Sequence, residues 1–222
     1  MDSRTLLTLL TAIWLLSACG PAGADTFSFS GQAAKEKAQQ EADAAARAQT
    51  IQTLVSVPCD QRQKNQRILF LVGEQQSGQW QTDQGRFGEF VSVIDKRLKS
   101  LGLKTFTQQE IKSSIAQAEV DAYFKNDPDA ALSASKRLGA NHILRGVIST
   151  RSGVNPVVQV NEVAVNIDLT LSEADGRVVS DVSAHSDSYS GSDTLATALD
   201  LVKQQADLLV AQLYNGYCSR TK

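Results

Sequence analysis

Arg67-Ile68-Leu69-Phe70-Leu71-Val72-Gly73 is a continuous apolar run bounded by an arginine and a glycine. No polar residue alternates within it, so as a strand it offers apolar side chains to both faces, which places it centrally in a sheet. Gly73 reads as the end of that strand. Beyond it, Glu74 to Gly85 has the composition of a polar Gln/Gly loop. Phe87, Phe90, Val91, Ile94, Leu98 and Leu101 then recur at helical spacing up to a stop at Gly102.

Further along, Leu103 to Phe106 predicts a short strand, and Thr107 with Glu110 has the spacing of a capping box. The box opens one helix through Ile111, Ile115 and Tyr123, broken at Pro128; Asp129 to Leu138 restarts a helix that Gly139 ends. Asn141 to Ser149 is a strand carrying Ile143, Leu144, Val147 and Ile148. From Val163 the period becomes two: Val163, Val165, Ile167, Leu169 and Leu171 alternate with Ala164, Asn166, Asp168 and Thr170, giving one buried and one wetter face. Asp175-Gly176 marks a hairpin turn and Val178 to Ser186 the returning strand. Ser190, Ser192 and Asp193 offer caps to a last helix with Leu195, Leu199, Val202, Ala206, Leu209 and Leu213 on its apolar face.

Upstream, Gln32 to Val57 is rich in Ala, Gln, Lys and Glu with no glycine or proline until Pro58, and predicts a helix. Its apolar face is mostly alanine until Ile51, Leu54 and Val55, which fits either a solvated helix docked by its last turns or a helix for self-association. The expected fold class is therefore α/β (α+β): a mixed β-sheet with helices packed on it, over residues 58–218, preceded by an Ala/Gln-rich helix over 32–57 and followed by a tail, 219–222.

The chain has 222 residues, 42% apolar and 21% charged, with 22 basic against 24 acidic side chains. That is enough for one ordinary domain and excludes both a disordered chain and a strongly basic nucleic-acid binder. Three cysteines and two histidines are poor material for a zinc cage, so no metal and no cofactor is expected.

Leu6 to Leu16 is an apolar run behind Arg4 that ends in the small residues Ser17 and Ala18. It covers about half of a ~30 Å hydrocarbon core and reads as a signal peptide, residues 1–18. Leu16-Ser17-Ala18-Cys19 resembles the lipobox of bacterial lipoproteins, in which the cysteine is acylated and becomes the first residue of the mature chain. This implies a membrane anchor at Cys19, with 19–31 as tether. Gly20 rather than Asp after the cysteine implies the outer membrane, facing the periplasm. In that oxidising compartment Cys59 and Cys218 are either disulfide-bonded or two separate buried thiols.

Two stretches carry a second resemblance. Leu138-Gly139-Ala140-Asn141-His142-Ile143-Leu144-Arg145-Gly146-Val147-Ile148, and then Val165 to Leu171 with Ala174-Asp175-Gly176-Arg177-Val178-Val179-Ser180, are similar to passages of three envelope proteins. These are the curli-secretion lipoprotein, the lipoprotein activators of penicillin-binding proteins, and the amino-terminal domain of TolB. The resemblance covers roughly residues 67 to 213 and implies a TolB amino-terminal-like sheet and helices used as a docking module, with no catalytic residue. Ser152 to Glu162, with Asn155, Pro156 and Asn161, is too short and polar for the hairpins of a membrane pore.

Chemical motifs point the same way. Gly73-Glu74-Gln75-Gln76-Ser77-Gly78 lies where a phosphate loop would, but Gln79 and Trp80 occupy the positions that loop needs for Lys and Ser/Thr. Asp127-Pro128-Asp129 reads as a turn and helix cap rather than a calcium loop. No Gly-x-Ser-x-Gly elbow occurs; His142 reads as a packed strand residue and His185 as a solvated one. The expectation is a non-enzymatic outer-membrane lipoprotein serving as accessory or assembly factor of an envelope machine, binding protein and not nucleic acid. Alternatives are a ring-forming secretion subunit, hence a homo-oligomer, and an envelope hydrolase with an unrecognised site. Gln79, Trp80 and Arg86 are the candidate partner contacts, because a tryptophan in a polar loop suits an interface anchor.

Overall fold

The computed structural model describes residues 29–154, 157, 161–188 and 194–220. The leader 1–18, Cys19, most of the tether and the caps Ser190, Ser192 and Asp193 lie outside the described residues. The chain divides into two units, up to Ala42 and from Asp43 onward; in the first, the described part is helix alone.

The elements are α1 (Phe29–Val55), α2 (Gln61–Asn65), β1 (Arg67–Gln76), β2 (Gln79–Gln81), α3 (Gly88–Ser100), β3 (Lys104–Thr105), α4 (Gln108–Ser114), α5 (Gln117–Phe124), α6 (Pro128–Leu138), β4 (His142–Val154), β5 (Asn161–Glu173), β6 (Val178–Ser188) and α7 (Thr194–Cys218). The sheet runs β2-β1-β4-β5-β6, with β3 beside the start of β1. β1 is parallel to β3 and β4, while the β1/β2, β4/β5 and β5/β6 pairs are antiparallel, so the sheet is mixed.

Two cores follow from the alternation of β1. Ile68, Phe70 and Val72 join Leu144, Ile148 and the apolar set of β5 under α3 and α7. Leu69 and Leu71 face the other way and pack with Ile143, Phe106, Ile111, Val120 and Phe124 under α4 to α6. All five apolar residues of β1 are almost wholly buried, each worth about 1.5–3 kcal/mol of transfer free energy before the entropy of ordering. On β5 one face is covered by Val165, Ile167, Leu169 and Leu171, while Ala164, Asn166, Asp168 and Thr170 stay half-buried on the other. Among the described residues, the second face is roofed mainly over β1 and the start of β4.

Several boundaries differ from those expected. β1 passes through Gly73 to Gln76, and 74–85 is not a loop but begins as a hairpin turned by Ser77 and Gly78, both at positive φ. The single helix expected from Thr107 is two, because Ile115 and Ala116 are extended; each keeps its own buried anchors, Ile111 in α4 and Val120 with Phe124 in α5. The short α2 has no apolar periodicity, yet Asp60 accepts from the N–H of Arg62 (2.7 Å) and Gln63 closes a capping box. β4 and β5 pair from His142↔Glu173 out to Val154↔Asn161, so much of Ser152 to Glu162 is strand. The Asp127 cap is as expected: its carboxylate accepts from Asp129 and Ala130 N–H, Pro128 follows, and Gly139 ends α6 in the left-handed region.

The segment between α1 and α2 meets the end of α7. Cys59 and Cys218 form a disulfide with Cα atoms 4.7 Å apart. Around it Gln63 Nε2 donates to the Tyr217 carbonyl, the Tyr217 hydroxyl donates to the Gln63 carbonyl, and Asn215 donates to the Leu54 carbonyl. The last turns of α1 are thereby docked.

Candidate functional site

The site grows from Gly73. A Cβ there would lie 2.7 Å from the Phe124 ring, so only glycine lets the end of α5 close on the strand. Phe124 then serves as the floor for Trp80 of β2, ring centroids 5.4 Å apart and tilted by 43°. The Arg145 guanidinium of β4 lies 5.2 Å from the Phe124 ring, 5.6 Å from Tyr123 and 5.7 Å from Trp80. It donates from Nη2 to the Phe124 carbonyl at 3.3 Å. This aromatic cradle holds a cation by quadrupole attraction, at about 0.5–2 kcal/mol per contact. Burial pushes the Tyr123 hydroxyl up to about 12, with Arg145 pulling the other way.

The segment after β2 is tied down side chain by side chain. The Gln84 amide lies where a neighbouring strand would: Oε1 accepts from Val72 N–H at 3.0 Å and Nε2 donates to the Val72 and Thr82 carbonyls at 2.7 Å. It fills the gap on β1 between the residues paired with β3 and those paired with β2. Glu74, almost wholly buried, receives Arg86 Nη2 at 3.0 Å. Thr82 donates to Asp121, which also accepts from Gln117 Nε2 at 2.7 Å; the two hydrogen bonds hold the Asp121 carboxyl below its ordinary value, Thr82 contributing more. These ties fix the segment after β2 against the end of the sheet.

Of the three candidate contacts, Gln79 is exposed beside the hairpin turn, Trp80 is half-buried, and the Arg86 side chain is 45% exposed. Alternation puts them on different sides of the sheet. Trp80, opposite Gln75, packs on the second face, whereas Gln79, opposite Gln76, shares the side on which Arg86 reaches Glu74. Arg145 and Gln84 were not among the candidates. A charged residue inside Ile143-Leu144-Arg145-Gly146-Val147 is a legible anomaly, since a cation there needs a partner; Gln84 has no such signal.

His142 and His185 lie apart in use. His142 is buried edge-on against Tyr217, ring centroids 4.9 Å apart, and burial lowers its pKa while Glu173 opposes that shift. His185 is exposed on β6. Among the described residues no cluster of three or more His, Cys, Asp or Glu is placed to hold a metal ion, and no helix is long and apolar enough to cross a membrane.

No family model and no curated protein matches the chain. Similar solved structures include the hypothetical protein CT253 from Chlamydia trachomatis, at 12% identity and TM-score 0.46, covering 70% of this chain and 99% of that one. Lipoprotein GNA1162 from Neisseria meningitidis is similar at 16% identity and TM-score 0.40, covering 63% and 96%. The LpoB C-terminal domain from Salmonella enterica is similar at 13% identity and TM-score 0.37, covering 61% of this chain and 94% of that one. All three are distant in sequence.

Proposed function

We propose that this protein is a non-enzymatic lipoprotein, anchored through Cys19 on the periplasmic side of the outer membrane, that docks a protein of a cell-envelope machine. The observation that supports docking is the locked end of the sheet. Gln84 on β1, Arg86 on Glu74, and Trp80 on Phe124 fix the β1–β2 hairpin, so that Gln79 and Arg86 stand on a surface that pays little ordering entropy on association. The anchor reading rests on Leu16-Ser17-Ala18-Cys19, whose acyl chains would each add about 0.8 kcal/mol per buried methylene.

Palmitate labelling of the full chain in cells tests the anchor. The label is expected on the wild type, lost in Cys19→Ala, and carried into the dense outer-membrane fraction of a sucrose gradient. An unlabelled wild type, or a labelled one sedimenting with the inner membrane, overturns the corresponding half of the proposal.

A further inference from the structure

Near the locked hairpin, a groove of about 460 Å³ runs between the α5–α6 turn and the half-buried second face of β4 and β5. Its volume suits a small ligand. Among the described residues Arg145 is the one cation lining it, with Asp127, Asp129 and Asp175 along the rim; Glu173 lines it too, but alternation turns its side chain to the His142 face. Tyr123, Ile143 and Val178 supply apolar wall, and Val178 is 48% exposed although it is a large aliphatic residue.

The polar groups are unequally committed. Among the described residues no carboxylate pairs with Arg145: its Nη2 bonds the Phe124 carbonyl, and its buried Nε has no protein partner. The remaining N–H groups of Nη1 and Nη2 make no hydrogen bond among the described residues, and a planar guanidinium fork is built for a carboxylate. Glu173, opposite His142, turns its carboxylate to the other face and pairs there with Arg177 at 2.5 Å. Asp175 accepts from Arg177 N–H, and Asp127 caps α6. Asp129, exposed in the first turn of α6, has no ion pair or side-chain hydrogen bond among the described residues.

A plain anion would reach Arg145 only past Asp127, Asp129 and Asp175, and a plain cation would meet Arg145 itself. A ligand carrying both charges satisfies both ends. We propose that this groove binds a short zwitterionic peptide or amino acid, its carboxylate on Arg145 and its ammonium toward Asp129, with Tyr123, Ile143 and Val178 against its apolar part. This is a small-ligand site and stands independently of the protein-docking surface and of the anchor.

The test is an NMR titration of the nitrogen-labelled full chain in detergent with alanyl-alanine, its C-terminal amide and its N-acetyl form. The free dipeptide is expected to shift the amides of Tyr123, Asn126 and Gly176. Amidation, or Arg145→Gln, is expected to weaken binding at least about tenfold through loss of a charge-assisted bidentate contact. Asp129→Asn, a surface change that leaves the core intact, is expected to weaken the free dipeptide and leave the N-acetyl form unaffected. If Arg145→Gln does not fold, the amide and Asp129→Asn carry the test. No shift in the groove, equal binding of the amide, or indifference to Asp129→Asn with the free dipeptide would overturn the proposal.

Discussion

Gly73 reads from sequence as the glycine that closes a strand, and it sits in the middle of one. What the sequence does not display is the neighbour: Phe124 comes from a helix about fifty positions away and lies where a Cβ would be. Gly73→Ala is therefore expected to destabilise the fold by about 1–3 kcal/mol, the range for forcing an extra methyl into a packed core. Gly153→Ala on β4, where a new Cβ meets nothing within 4 Å, is expected to leave the urea midpoint unchanged. His142 carries a second residue-scale expectation. Its folded pKa lies below the ordinary value of about 6.5 because burial disfavours the imidazolium, so the unfolded chain takes up the proton first. The contribution is intact above about pH 6.5 and is lost as pH falls through that value toward the lower folded pKa. Urea midpoints between about pH 7 and pH 5 should fall more steeply in the wild type than in His142→Gln.

At the scale of elements, the long apolar patterns were legible and the short ties were not. The β1 run, the α3 spacing and the period-two β5 each show in the sequence because burial imposes them on many residues at once. The hairpin at Ser77-Gly78 and the break at Ile115-Ala116 depend on a few backbone angles and on partners distant in sequence, which periodicity does not report. Gln84 is the clearest case, a polar residue in a polar stretch that completes the hydrogen bonding of a buried strand. Gln84→Ala leaves the Val72 N–H and carbonyl without that partner and is expected to cost about 1–3 kcal/mol. Native-state hydrogen exchange should show the Val72 amide exchanging faster in that variant, with α7 amides unchanged until global unfolding. Of the candidate contacts, the sequence does not show that Trp80 and Arg86 lie on different sides of the sheet, which follows from the β1–β2 register and the Arg86–Glu74 pair.

For the whole molecule, the disulfide closes a loop between residues 159 positions apart and joins the segment ahead of α2 to the end of the last helix. In the chain-entropy picture that is worth up to about 5 kcal/mol, an upper figure. Thermal unfolding of the wild type should shift down on adding a reductant, whereas the Cys59→Ser/Cys218→Ser double variant should start lower and ignore the reductant. An unshifted wild type would mean that the bridge contributes nothing to stability. The same closure holds α2 and α7 together at one end of the domain, leaving the β1–β2 end as the side set by its own polar ties. Docking through that end is most directly tested by placing a photo-crosslinking residue at Gln79, with Asp175 as the comparison position, in native envelopes, followed by mass spectrometry of the captured species. Capture of one envelope protein from position 79 and not from 175 is the expected result; no adduct from 79, or the same adducts from both positions, would contradict it.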